Sequence, residues 1–150
     1  MVRSAWWLGL GLLLCGLGCD GRPPKLVPVS GRVTLDGAPL ADAYVSFQPR
    51  GDRGNEVPGP ASVGKTDSNG RFTLALVRPN EPSSPAAVGA VVGPHRVVIR
   101  KVHSAAAAPG EESGRYQEGL PARYNAETIL EFTVPAGGTD KADFALTSAP

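Results

Sequence analysis

Two cysteines, two histidines and two tryptophans in 150 residues leave few groups for several kinds of chemistry. Both tryptophans, Trp6 and Trp7, fall in an apolar N-terminal stretch. An aromatic platform elsewhere would have to come from Tyr44, Tyr116 and Tyr124. Charge of one sign is also lacking. Fifteen Lys and Arg stand against 14 Asp and Glu, a formal net charge of +1, which excludes the strongly basic footprint of a nucleic-acid-binding domain. The apolar run from Ala5 to Gly18 is too short for the roughly 20 residues that a membrane-spanning helix needs. No stretch carries the 3.6-residue periodicity of an amphipathic helix. What the chain has in excess is turn formers: 19 Gly and 15 Pro, well above their usual combined share of roughly 12%.

The apolar N-terminal run follows a lone basic residue, Arg3, and ends in small residues, as the h-region of an export signal does. Its end, Gly16 to Cys19, resembles the bacterial lipobox, in which small residues precede an acylated cysteine. Leu is usual where Gly16 stands, and Leu14 makes Cys15 a poor alternative. The resemblance implies cleavage after Gly18 and a covalent lipid on Cys19. Cys15 departs with the signal, so the mature chain has no second thiol for an intramolecular disulfide. One acyl chain binds a bilayer only marginally, so the several chains typical of bacterial lipoproteins imply stable anchoring. Asp20 favours inner-membrane retention in some bacteria, and the choice between inner and outer membrane stays open.

The spacing predicts an N-terminal signal over 1–18, a lipidated polar tether over 19–28, one folded domain over 29–147 and a tail over 148–150. Val29 to Leu35 alternates apolar and polar positions, as a half-buried strand does. Asp36-Gly37 is a strong turn signal, and Pro39 stiffens the connection. Ala43 to Gln48 reads as the next strand, with Tyr44 or Val45, and Phe47, available to a core. Gly64 to Leu74 reads as a hairpin around Asn69-Gly70, with Thr66 and Asp67 accepting local backbone hydrogen bonds and Phe72 and Leu74 on one face. Pro94 to Val102 is a strand whose inner face is either Val97 with Ile99 or Val98 with Val102. Thr128 to Val134 and Lys141 to Thr147 complete the set, and long loops lie between. Six or seven short strands with Gly and Pro turns predict an all-β, antiparallel sandwich.

Val29 to Phe47 carries Gly31, Val33, the Asp36-Gly37 pair, Pro39, Val45 and Phe47 at the spacing that opens carboxypeptidase-regulatory-like domains. Thr66-Asp67 with Gly70 and Phe72 is similar to the turn that follows in that family. Gly93 to Ile99 is similar to its next strand, with His95 where an aromatic is frequent. Leu120 to Asn125 and Ala142 to Leu146 resemble a variant found in short planctomycete-type lipoproteins. The resemblance spans about Val29 to Leu146. It implies a transthyretin-like (prealbumin-like) sandwich, with Gly31, Asp36, Gly37, Pro39, Asp67, Asn69 and Gly70 as structural turn positions. In carboxypeptidases such a domain performs no chemistry itself.

Catalytic groupings are missing from the pattern. His95 and His103 are eight residues apart, about 26 Å along a straight strand at about 3.3 Å per residue, too far to share a metal, and both read as solvated. Asp67 to Gly70 lacks the spaced acids and the glutamate of a calcium loop. No Gly-x-Ser-x-Gly elbow surrounds Ser62, Ser83, Ser84 or Ser104. Glu111 and Glu112 sit in a loop, where paired carboxylates lack the fixed separation hydrolysis requires. A transthyretin-like hydroxyisourate hydrolase ends in Tyr-Arg-Gly-Ser, whereas this chain ends Leu146 to Pro150. The expectation is therefore a non-enzymatic, membrane-anchored cell-envelope lipoprotein without cofactor or metal, serving surface structure or protein interaction. The alternative is an envelope-displayed carbohydrate- or peptide-binding module, which needs an exposed aromatic or polar cluster on one sheet or loop end.

Overall fold

The computed structural model describes residues 25–51, 59–77, 87–104 and 116–149. The signal, Cys19 and the loop residues Ser83, Ser84, Glu111 and Glu112 lie outside them. The strands are β1 (Leu26–Val27), β2 (Ser30–Leu35), β3 (Ala38–Pro39), β4 (Tyr44–Pro49), β5 (Ser62–Lys65), β6 (Arg71–Thr73), β7 (Ala75–Leu76), β8 (Ala90–Val91), β9 (Gly93–Arg100), β10 (Val102–Ser104), β11 (Tyr116–Glu118), β12 (Glu131–Val134) and β13 (Phe144–Leu146). One 3-10 turn, Ala122–Tyr124, interrupts them. Among the described residues no helix is long and apolar enough to cross a membrane.

The strands form an all-β sandwich. One layer is a five-stranded antiparallel sheet in the order β12-β9-β4-β5-β7. The other is built on β2, which pairs with β13, β3 and β6. Inward residues of β2, β4 and β9 alternate with outward ones, as a two-layer core requires. Val33, Val45, Phe47, Leu74, Val97 and Ile99 are fully buried. This resolves both open alternatives: Val45 faces the core and Tyr44 is 48% exposed, and β9 turns Val97 and Ile99 inward. Phe47 is the hub between the layers, with ring centroids 6.5 Å from Phe72, 5.5 Å from Phe132 and 6.1 Å from Phe144.

The turn positions behave as their chemistry predicts. Asp36 and Gly37 both take positive φ, 51° and 81°, and close the β2–β3 hairpin, with Pro39 opposite Thr34. Asp67 Oδ1 accepts from the backbone amides of Asn69 and Arg71, and Gly70 turns at φ 73°.

Four details depart from the sequence pattern. The stretch expected to hairpin from Gly64 to Leu74 splits between the layers: β5 pairs with β7 in the main sheet, whereas β6 crosses to pair with β2. Thr66 Oγ1 accepts a distant amide, that of Ala43 at 2.8 Å, rather than a local one. The edge pairing of β13 with β2 is parallel, not antiparallel, because the turn at Pro135–Gly138 brings Thr139 beside Val29 at the start of β2, and the chain then runs along β2 in the same direction into β13. Strand pairing also starts earlier than Val29, in a separate two-stranded sheet of β1 and β8. Leu26 and Val27 pair with Val91 and Ala90, and Val27 is buried, so residues 26–28 belong to the sandwich rather than to the tether. Lys25 anchors the start of the domain: its carbonyl accepts from the Val92 amide at 3.1 Å, and its Nζ donates to the Ala136 carbonyl at 3.0 Å.

Candidate functional site

His95 corrects one expectation directly. It is 1% exposed rather than solvated, because the β9 parity that buries Val97 and Ile99 turns it inward as well. Its ring lies 5.6 Å from Phe47, and Nδ1–H donates to the Gly93 carbonyl at 2.9 Å. Nε2 is buried with no hydrogen-bond partner among the described residues. Burial pushes the imidazole below its ordinary 6.5, and the Gly93 bond opposes that only in part. His103 lies beyond the break in strand pairing at Lys101 and is exposed, so the two histidines share neither a face nor an environment.

A pH dependence follows from His95. The unfolded chain takes up a proton as pH falls through about 6.5, whereas the folded chain does not until a lower pH. The neutral His95 contribution is therefore fully present above about 6.5 and is lost as pH falls. Stability is expected to decline between pH 7 and pH 5, by about 1.36 kcal/mol for each unit by which the folded-state value lies below the unfolded one. Urea unfolding at the two pH values measures it. His95→Phe keeps the aromatic packing and is expected to abolish most of the decline.

Tyr124 is a structural residue. Its hydroxyl accepts from the Thr147 amide at 3.0 Å, and Arg123 lies 4.8 Å over its ring. The Thr147 hydroxyl and amide, together with Arg123, hold the phenol at about 8. Tyr124 thus fastens the chain end after β13 and is buried rather than displayed. The Tyr116 side chain lies outside the described residues.

The outer face of the main sheet holds what the core does not. The register of β4 on β9 places Tyr44 opposite Arg100, Ser46 opposite Val98 and Gln48 opposite Arg96. All six point away from Phe47, because their neighbours Val45, Phe47, Val97 and Ile99 point into the core. The short Ser46 and Val98 side chains form a floor between taller residues at each end. Asn125 and Ala126, just after the 3-10 turn, supply a wall, and the groove has a volume of about 430 Å³. Asn125 is buried and fixed: its Nδ2 donates to the Leu120 and Pro121 carbonyls, and its Oδ1 accepts from the Ala126 amide at 2.6 Å. A second recess of about 470 Å³ continues past Arg96 along Thr128, Ile129 and Leu130, where Ile129 is 84% exposed.

The charges on this face are unevenly matched. Arg50 pairs with Glu131, and Lys65 pairs with Asp42 at 2.8 Å. Lys65 also sits 5.8 Å over the Tyr44 ring. Arg96 and Arg100 have no carboxylate within ion-pair distance among the described residues. The one polar contact of Arg96 there is a long 3.5 Å donation to the Ala126 carbonyl. Sequence reasoning singled out none of Ser46, Gln48, Arg96, Arg100 or Asn125. Their signal was the alternation of β9, legible only once the inner face is fixed.

No protein-family model matches the chain, and no curated protein matches it. Among solved structures, a 9R-lipoxygenase from Cyanothece is similar over 81% of this chain and 16% of its own length, at 16% identity and a TM-score of 0.36. The chain thus spans about a sixth of that protein's length, and the likeness says nothing of activity.

Proposed function

We propose that this protein is a non-enzymatic cell-envelope lipoprotein: a carboxypeptidase-regulatory-like sandwich held at a membrane by lipid on Cys19 and serving as a contact surface for another envelope component. The observation that carries the reading is the outer face of the main sheet. It is a concave, polar and cationic surface on one side of the sandwich. Its residues are suited to holding a partner: guanidinium donors, an amide, a hydroxyl and an aromatic edge. The export-signal and lipobox pattern supplies the anchor.

The start of β1 at Leu26 gives the anchor a geometry. Six residues, Asp20 to Lys25, separate Cys19 from β1. Fully extended they reach about 20 Å, at roughly 3.5 Å per residue. Lys25 is tied to Val92 and Ala136, so the end of the sandwich carrying those residues lies nearest the membrane in this reading. A Cys19→Ser variant expressed in an exporting bacterial host tests the anchor by fractionation. The parent is expected in the membrane fraction and released only by detergent. The variant is expected as an uncleaved precursor or as released protein. Equal membrane retention of a correctly cleaved variant would sink the proposal.

A further inference from the structure

We infer that the groove on the outer face of the main sheet binds an extended acidic peptide segment of a partner protein, with two carboxylates seated on Arg96 and Arg100. The inference rests on reading this face as the contact surface of the domain. Arg96 and Arg100 project from one face of one strand, four residues apart, so their Cα atoms are separated by about 13 Å at about 3.3 Å per residue. Glutamates four positions apart in an extended peptide have the same spacing and fall on one face of it. A peptide running along β9 therefore meets both guanidiniums in register.

The charge distribution selects the sign of the ligand. The whole chain is nearly neutral at +1, yet the lining residues of the groove include two arginines and no acid. Glu131 stands opposite Arg96 in the β12–β9 register and lines the adjoining recess, but its carboxylate is paired with Arg50, and Asp42 is paired with Lys65. Guanidinium forks bind carboxylates with two parallel hydrogen bonds, which gives direction as well as attraction. The low floor of Ser46 and Val98 leaves room for the backbone between the two charged seats.

The apolar and aromatic parts select a peptide over an acidic glycan. Ile129, 84% exposed, continues the groove beyond Arg96 and offers an apolar contact to a side chain. Tyr44, the aromatic at the other end, has the Lys65 ammonium over its ring, which obstructs the stacking of a sugar there. The wall residue Asn125 has its amide committed to Leu120 and Pro121, so it shapes the groove without presenting those donors to a sugar hydroxyl.

The test uses the full mature protein in detergent micelles. The probe is a nine-residue acetylated and amidated peptide of alternating threonine and valine, carrying two glutamates four positions apart. Titration calorimetry is run at low and at physiological salt. The expected result is binding that weakens with salt, falls at least tenfold when both glutamates become glutamine, and falls at least tenfold in Arg96→Gln and in Arg100→Gln. Both substitutions lie on a solvated face, and unchanged urea midpoints verify the fold. Equal binding of the glutamate and glutamine peptides, or full binding by both arginine variants, would overturn the inference. So would arginine-dependent binding of oligogalacturonate with no binding of the peptide, which would assign the face to an acidic glycan. None of these failures touches the membrane anchor, which the Cys19→Ser fractionation reads separately.

Discussion

Phe47→Ala is expected to lower the stability of the domain by about 4 kcal/mol, within the roughly 3–5 kcal/mol range for deleting a buried phenylalanine ring. The side chain is fully buried and reaches from β4 to partners in both layers. Phe72 and Phe144 belong to the second layer, and His95 and Phe132 to the main sheet. Removing the ring opens a cavity that none of these four can fill without leaving its own packing. Edge-on pairs with Phe132 and Phe144 add about 0.5–1.5 kcal/mol each beyond area burial, so collapse around the cavity sacrifices them. A domain of this size has only about 5–15 kcal/mol in total, so the variant loses a large part of its margin. Urea unfolding measures the effect as a shift in midpoint at constant slope. Tyr44→Ala, three residues away on the outer face, is the control and is expected to change stability by less than about 1 kcal/mol. Equal effects of the two substitutions would mean that the core is not organised around Phe47.

Gly31→Ala is expected to cost about 3 kcal/mol, the upper end of the roughly 1–3 kcal/mol range for overpacking. Gly31 faces inward from β2, and the backbone of Ala142 runs directly across it. A Cβ there would lie far inside van der Waals contact of the Ala142 carbonyl, and backbone cannot swing aside as a flexible side chain would. The segment before β13 is bound to β2 on either side of this crossing. Ser30 N donates to Thr139 O at 2.9 Å, Ala142 N to Ser30 O at 3.1 Å and Arg32 N to Asp143 Oδ1 at 2.8 Å. Relieving the clash moves this segment outward, stretches those bonds and loosens Phe144 from Phe47. Gly137→Ala is the matching control. Its added Cβ meets open space, and its stability is expected to stay within about 0.5 kcal/mol of the parent. Amide exchange separates the mechanisms: faster exchange at Ser30, Arg32 and Ala142 in Gly31→Ala locates the damage at the crossing. Uniform acceleration would argue for a global effect instead.

These positions also show what the sequence makes legible. Period-two alternation in Val29 to Leu35 and Ala43 to Gln48 marked strands because one face of each is apolar, and both are strands here. Asp36-Gly37 marked a tight turn because both residues tolerate positive φ, and both adopt it. The apolar centre of β9 was ambiguous for a physical reason. Val97, Val98 and Ile99 are all buried, Val98 on the outer face, so alternation disappears where both faces of a strand are covered. That ambiguity hid the burial of His95 and the outward pair Arg96 and Arg100 together. Other features depend on contacts between distant residues. β6 leaves its neighbours for β2, and β13 joins β2 in parallel, through pairings that no local pattern encodes. β1 is two residues long beside prolines and becomes a strand only because Ala90 and Val91 pair with it. The groove needs the register of β4 on β9, set by packing between segments some fifty residues apart.

The central claim is the lipid on Cys19, and the intact mass of the protein extracted from membranes of its native host tests it most directly. The account predicts a mature chain that begins at Cys19, lacks the residues through Gly18 and carries the added mass of a diacylglyceryl group with an amide-linked acyl chain. A chain cut at another position, or one beginning at Cys19 with a free thiol and no acyl mass, would contradict it.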